Sequence, residues 1–204
     1  DKTFGVEIKD RTKSISRHFK EKFKELREEI ETTAYFKGIL VKNYIYKGPV
    51  LEWYLRIKLK FEDDYLPIDK LVPAEADILD LGGGYGFMAQ SLAMASSRRR
   101  ITSLDYDEQK ITVARNVPAL PKNIRFIVGD VMKHNFESKD VYLISDVLHY
   151  LKPEEQVDLL HSLSSKLNSG GRIILRDADS GKTDRHKGSK LTEFFSTKLI
   201  RFNK

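Results

Sequence analysis

Four carboxylates in this chain close four similar segments. Ile78-Leu79 runs into Asp80, and Ile101-Thr102-Ser103-Leu104 into Asp105. Ile124 through Gly129 runs into Asp130, and Val141-Tyr142-Leu143-Ile144-Ser145 into Asp146. Short apolar runs closed by an acid read as parallel strands whose carboxyl ends share one edge, where open α/β sheets bind ligands. The first run passes into Leu81-Gly82-Gly83-Gly84-Tyr85-Gly86 and then a helix from Phe87 to Ala95. Glycines there let the backbone approach a ligand, and the helix aims free N–H groups into the turn. That is a nucleotide-type pocket. His149, just after the fourth run, adds an imidazole able to take a proton near neutral pH.

The glycines fall as Gly82-x-Gly84-x-Gly86, two residues beyond Asp80. The dinucleotide fingerprint is G-x-G-x-x-G, so the spacing argues against a nicotinamide enzyme. The elements that must hold these residues alternate regularly. The pattern predicts strands over 76–81, 100–105, 124–129, 140–145 and 171–176, with helices over 86–96, 107–115 and 153–167. Pro153 suits a helix start, and Asn168-Ser169-Gly170-Gly171 reads as a helix stop. Strands alternating with helices specify an α/β fold with a parallel sheet.

Ahead of the first strand the chain is different. Ile15, Phe19, Phe23, Leu26 and Ile30 recur at the spacing of one helix face. Tyr35 to Lys60 is rich in aromatics, broken by Gly48-Pro49, with a second helix over Val50–Phe61. We expect residues 1–66 to form a helical extension or lid and 67–204 the ligand-binding domain. Residues 181–188 read as a loop and 189–202 as a last helix. The first 60 residues hold 15 Lys+Arg against 9 Asp+Glu, so the whole formal charge of +6 lies there. That basic excess points to a partner for the extension, with an anionic membrane surface the sharper alternative to a solvated helix face. Arg98-Arg99-Arg100 reads as a solvated junction between helix and strand, with a phosphate patch as the alternative. The chain has no cysteine, which removes disulfides, thiolate metal sites and cysteine nucleophiles. No apolar run reaches the length of about 20 residues needed to span a membrane, and no secretory signal is visible.

The set from about Ala76 to Asp177 resembles the class I S-adenosylmethionine-dependent methyltransferases. The glycine turn, the Asp105 strand end, Gly129-Asp130-Val131-Met132, Ser145-Asp146-Val147-Leu148-His149-Tyr150-Leu151 and Leu167 through Leu175 carry the likeness in that order. The resemblance implies a Rossmann-like fold, S-adenosylmethionine as methyl donor and S-adenosylhomocysteine as product. It implies that Gly82, Gly84 and Gly86 admit the methionyl part and ribose, while Asp80 holds the amino end directly or through water. Asp105 would take both ribose hydroxyls and Tyr106 would lie on the adenine face. Asp130 would accept from the adenine amine, beside the Val131 and Met132 backbone. Asp146 belongs to the same edge, with it or Tyr150 positioning the acceptor, and His149 is the candidate base. Helices before the first strand often fold over the site in this family, which makes Tyr46 and Trp53 candidate substrate residues.

The family adds two antiparallel strands after the last helix, and no residues remain for them here. Together with a start at Asp1, this suggests a domain incomplete at its C-terminus and excised from a longer protein, or a sheet edge completed by dimerisation. Residues 30–54 also resemble the junction in bacterial membrane proteins that join an exporter, a lysophospholipid acyltransferase and a terminal methyltransferase. That likeness implies a cytoplasmic module tethered to a membrane. The expected function is O-methylation of a small or lipid-like acceptor. A non-catalytic cofactor-binding module stays open, as does nucleic-acid methylation on the basic arm alone, although Asp146-Val147-Leu148-His149 is not the motif of the DNA amino-methylating enzymes.

Overall fold

The structure, a computed structural model, describes residues 35, 37–61 and 64–177. The expected helix around 14–30, the loop at 181–188 and the helix at 189–202 lie outside the described residues. The chain divides into two compact units, 1–38 and 39–204. The elements named below all belong to the second.

Helix α1, which covers residues 39–44 within this unit, runs through a 3-10 turn, Ile45–Lys47, to α2 (Pro49–Phe61). Then come α3 (Tyr65–Leu71), β1 (Asp77–Leu81), α4 (Phe87–Ala95), β2 (Arg100–Asp105), α5 (Glu108–Arg115) and β3 (Ile124–Val128). β4 (Lys139–Ser145), a 3-10 turn at Leu148–Tyr150, α6 (Pro153–Ser164) and β5 (Leu167–Arg176) complete it. The five strands are parallel in the order β3-β2-β1-β4-β5. The chain leaves β1 in one direction through β2 and β3, then returns to β1's other side as β4. The strand order therefore reverses between β1 and β4, and a crevice opens at their carboxyl ends.

Central β1 is buried on both faces from Ile78 to Leu81, Asp80 included, with apolar Ile78, Leu79 and Leu81 around that one buried acid. α4 is apolar on more than one side because it is covered on more than one side. Ala89, Leu92 and Ala93 pack with Ile78, Ile101 and Val141 of the sheet. Phe87 and Tyr85 pack with Leu51, Leu55 and Tyr44 of α1 and α2. α5 is capped by Asp107, whose Oδ1 accepts from the N–H of Gln109 (2.9 Å) and of Lys110 (3.1 Å). Pro153 opens α6 as its spacing predicted.

Three expectations need correction. α3 was not anticipated, because Pro67 lies within it. That proline falls in the first turn, where a missing N–H costs nothing. α6 ends at Ser164 rather than 167, and Asn168 to Gly171 are not a helix stop. Leu167 pairs with Lys139 and Arg172 with Val141, so 168–171 bulge out of β5 opposite one residue, with Gly170 at φ 75°.

The third correction concerns Arg99, which is buried, only 3% exposed. Its guanidinium donates to the carbonyls of Pro73 (3.0 Å), Leu92 (3.0 Å) and Val72 (2.7 Å) and pairs with Asp69. It thus closes the C-terminal ends of α3 and α4 on one fork. Arg98 and Arg100 remain exposed, opposite Glu75 (3.7 Å) and Asp77 (3.5 Å). Arg99→Met is expected to lower unfolding stability by roughly 2–3 kcal/mol in urea, since it leaves buried acceptors unmet. Arg98→Ala is expected to change it by less than about 0.5 kcal/mol. Equal effects would contradict the capping role.

Candidate functional site

The glycine turn is built from below and from both sides. Gly82 and Gly83 donate to the Leu104 carbonyl at the end of β2 (2.8 and 3.1 Å), and Gly86 donates to the Gly83 carbonyl (2.8 Å). At Gly86, φ is 77° and an added Cβ would stand 2.4 Å from the Phe126 ring, so only glycine fits. Gly84 also has positive φ (54°), but a Cβ there would meet nothing nearer than 3.8 Å, so its open face looks into the site. The turn is closed against the sheet and open toward the crevice.

Asp105 is the central acid. It is 6% exposed, its Oδ2 accepts from Gly84 N–H (2.7 Å) and its Oδ1 from Asp107 N–H (2.9 Å). Each oxygen keeps a second lone pair, as binding two vicinal hydroxyls requires. Asp80 lies beneath the turn and is 1% exposed. It accepts from Ser103 Oγ (2.8 Å), and a Cβ on Gly83 would be 2.5 Å from its Oδ2. Burial pushes its carboxyl up to about 7; the Ser103 hydrogen bond opposes this, and the nearby Asp105 charge adds to it. Asp80 and Ser103 therefore form the floor of the turn.

Asp130 follows β3 and is exposed; its Oδ1 caps its own turn at Met132 N–H (2.9 Å), with Lys133 3.4 Å from Oδ2. Tyr106 and Met132 are exposed and Val131 half-buried, along the Asp105–Asp130 side of the edge. Asp146 takes a left-handed conformation (φ 56°), which aspartate tolerates better than most residues. Its carboxylate meets Arg176 Nη1 at 2.5 Å, and Arg176 Nε reaches Asp64 at 2.7 Å. Asp146 is thus held by an ion-pair bridge across the end of β5.

Beyond it, His149 Nδ1 lies 2.7 Å from Asp177 Oδ1, and the His149 N–H donates to Asp177 Oδ2 at 3.2 Å. Tyr150 packs its ring on the imidazole (centroids 4.1 Å apart) and is otherwise exposed. The sequence reading named His149 and missed Asp177, although Asp177 ends the fifth strand under the same rule. Arg176 interrupts the apolar run there. Ser103 and Arg176 were missed because their partners are distant in sequence.

The two aromatic candidates separate. Tyr46 donates its hydroxyl to the Val113 carbonyl (2.9 Å), tying the first 3-10 turn to α5, and burial raises its ionisation. Trp53 lines a cavity of about 1290 Å³ between α2 and α5, with Val50, Arg56, Tyr85, Lys110 and Val113. Tyr85 joins this cavity to the glycine turn. Among the described residues no cluster of His, Asp or Glu could hold a metal, and no helix is long and apolar enough to cross a membrane.

Residues 78–171 match the family described as methyltransferase domain. That segment is a methyltransferase domain. Chicken acetylserotonin O-methyltransferase is 27% identical over 124 residues, 60% of this chain and 35% of that protein. The carboxy-S-adenosyl-L-methionine synthase of Campylobacter curvus is 28% identical over 112 residues, 53% of this chain and 47% of that protein. The fold is shared with phosphoethanolamine N-methyltransferase 1 of Haemonchus contortus, with TM-score 0.56 and 24% identity over 73% of this chain and 33% of that one. The chain thus spans less than half the length of these relatives. The open cradle at Gly84 and the acceptor pair of Asp105 fit the methyltransferase cofactor.

Proposed function

We propose that this chain is an S-adenosylmethionine-dependent methyltransferase that methylates an oxygen of a small or lipid-like acceptor, with His149 as the base and Asp177 orienting it. The 2.7 Å contact between His149 Nδ1 and Asp177 Oδ1 carries the reading. A carboxylate only accepts, so it fixes the proton on Nδ1 and leaves Nε2 with a free lone pair. Bound S-adenosylmethionine supplies a methyl already activated by its sulfonium leaving group. The protein's part is alignment, exclusion of water and removal of the acceptor's proton by Nε2. Asp105 and the glycine turn would seat the ribose and methionyl parts, Asp80 supporting the amino end from beneath. Asp130, Val131, Met132 and Tyr106 would border the adenine. The α2–α5 cavity, with Trp53 on its wall, has room for an aromatic or acyl acceptor. The likeness to an acetylserotonin O-methyltransferase supports oxygen as the acceptor atom. The basic first quarter adds a peripheral membrane contact to the proposal, and the side of β5 that pairs with no strand among the described residues a dimer contact.

The test is methyl transfer from labelled donor to a panel of phenols and lipids. His149→Ala is expected to lower kcat about 100- to 1000-fold. Its affinity for S-adenosylhomocysteine should stay within about threefold of the parent's, since the removed group acts on the acceptor. Asp177→Asn should lose about 10-fold in kcat. Cofactor binding without turnover of any acceptor would favour a binding module instead.

A further inference from the structure

A buried polar chain runs from α1 to the cofactor turn. Tyr44 has no accessible surface, and its hydroxyl donates to the carbonyl of Tyr85, inside the turn. The same hydroxyl accepts from Nε2 of Gln90, a fully buried residue of α4. Gln90 Oε1 in turn accepts from Asn43 Nδ2 at 2.9 Å. Leu40, Leu51, Leu55, Phe87 and Val113 are among the side chains of the cluster around it. Three polar side chains are costly in such a place unless they satisfy one another, and here they do. Burial pushes the Tyr44 ionisation well above its ordinary value, so the hydroxyl stays a donor.

The carbonyl of Tyr85 and the N–H of Gly86 belong to one peptide plane. Holding the carbonyl on Tyr44 therefore also holds the N–H on the Gly83 carbonyl, at 2.8 Å, and that bond closes the turn over Gly84. Asp105 grips Gly84 from the sheet side; Tyr44 grips the next residue from the side of the helical cover.

We infer that Tyr44 is a positioning residue for the cofactor turn, and that through it the ordering of α1 and the affinity for cofactor are coupled. The inference rests on the methyltransferase reading. With the hydroxyl removed, the 85–86 peptide is free to reorient, and the cofactor must order the turn as it binds. By reciprocity, bound cofactor tightens α1.

The experiment is calorimetric titration of the full chain with S-adenosylhomocysteine, for the parent, Tyr44→Phe and Tyr142→Phe. Tyr142 is a control of equal burial whose hydroxyl donates to the Glu137 carbonyl (2.5 Å), ahead of β4 at the far end of the sheet. Tyr44→Phe is expected to bind about 10-fold more weakly, as one lost hydrogen bond would give, and Tyr142→Phe like the parent. Hydrogen exchange on the parent should show α1 amides slowed by saturating S-adenosylhomocysteine, a readout that needs no variant to fold. Parent-like affinity in Tyr44→Phe, equal weakening in both variants, or unchanged exchange in α1 would each overturn the inference. A folded parent that does not bind S-adenosylhomocysteine would overturn the methyltransferase reading itself, and this inference with it.

Discussion

Asp105→Ala is expected to lower the affinity for S-adenosylhomocysteine by roughly 100- to 1000-fold. Hydrogen bonds to a charged acceptor contribute about 1.5–3 kcal/mol each, and each 1.4 kcal/mol is about tenfold in affinity. Two ribose hydroxyls at the lower end of that scale, about 3–4 kcal/mol together, account for the range. The substitution also frees the backbone. Gly84 N–H and Asp107 N–H both end on Asp105 (2.7 and 2.9 Å), so the turn and the start of α5 lose a common anchor. Asp105→Asn separates the two effects poorly, because its NH2 would face one of those N–H groups. Asp107→Ala separates them better: it removes the α5 cap and leaves the ribose acceptors, and should cost affinity less than about threefold. Calorimetry decides between the variants, with urea curves checking that each still unfolds cooperatively. Unchanged binding in Asp105→Ala would remove the ribose assignment. NADH binding by the parent would remove the cofactor assignment altogether.

The residues legible in the sequence share a property: their role is set by position along one strand. Asp80, Asp105, Asp130 and Asp146 all follow apolar runs, and parallel pairing then brings those runs to one edge. What pairing adds could not be read. Asp146 meets Arg176 because Ser145 and Arg176 stand opposite in the β4–β5 register, 31 positions apart. Tyr44 and Gln90 meet across 46 positions through packing alone. Arg99 looked like its neighbours Arg98 and Arg100, and only the carbonyls of α3 and α4 around it distinguish it. The 168–171 segment has helix-stop chemistry in its Asn, Ser and two glycines. The same residues form a strand bulge once Leu167 pairs with Lys139. Turn chemistry says that the chain bends, not what it bends between.

The depth of Asp80 was equally hidden, and it gives the second large effect. Without cofactor, the protein should lose stability as pH rises from about 4 to about 7, and level off above. The carboxyl is buried under Gly83 with a folded value of about 7, against its ordinary value of 3.8. Burial is the main cause, reinforced by the charge of Asp105 and reduced by the Ser103 hydroxyl. In that window the folded chain holds a proton that the unfolded chain has released. Stability therefore falls with rising pH, by about 1.36 kcal/mol per unit and roughly 4 kcal/mol in all. Asp80→Asn keeps an oxygen for Ser103 and cannot ionise, so this component should vanish. The difference between parent and variant urea midpoints at pH 5 and pH 7.5 isolates it from every other titrating group. With the amino end of the cofactor placed over Asp80 as proposed, binding should reverse the preference. The amino group of S-adenosylmethionine is cationic, and an ionised Asp80 beneath the turn attracts it, so affinity should rise through the same window in the parent and stay flat in Asp80→Asn. A midpoint difference that does not change with pH would mean that Asp80 is ionised in the folded chain throughout, and that the turn rests on a charge already in place.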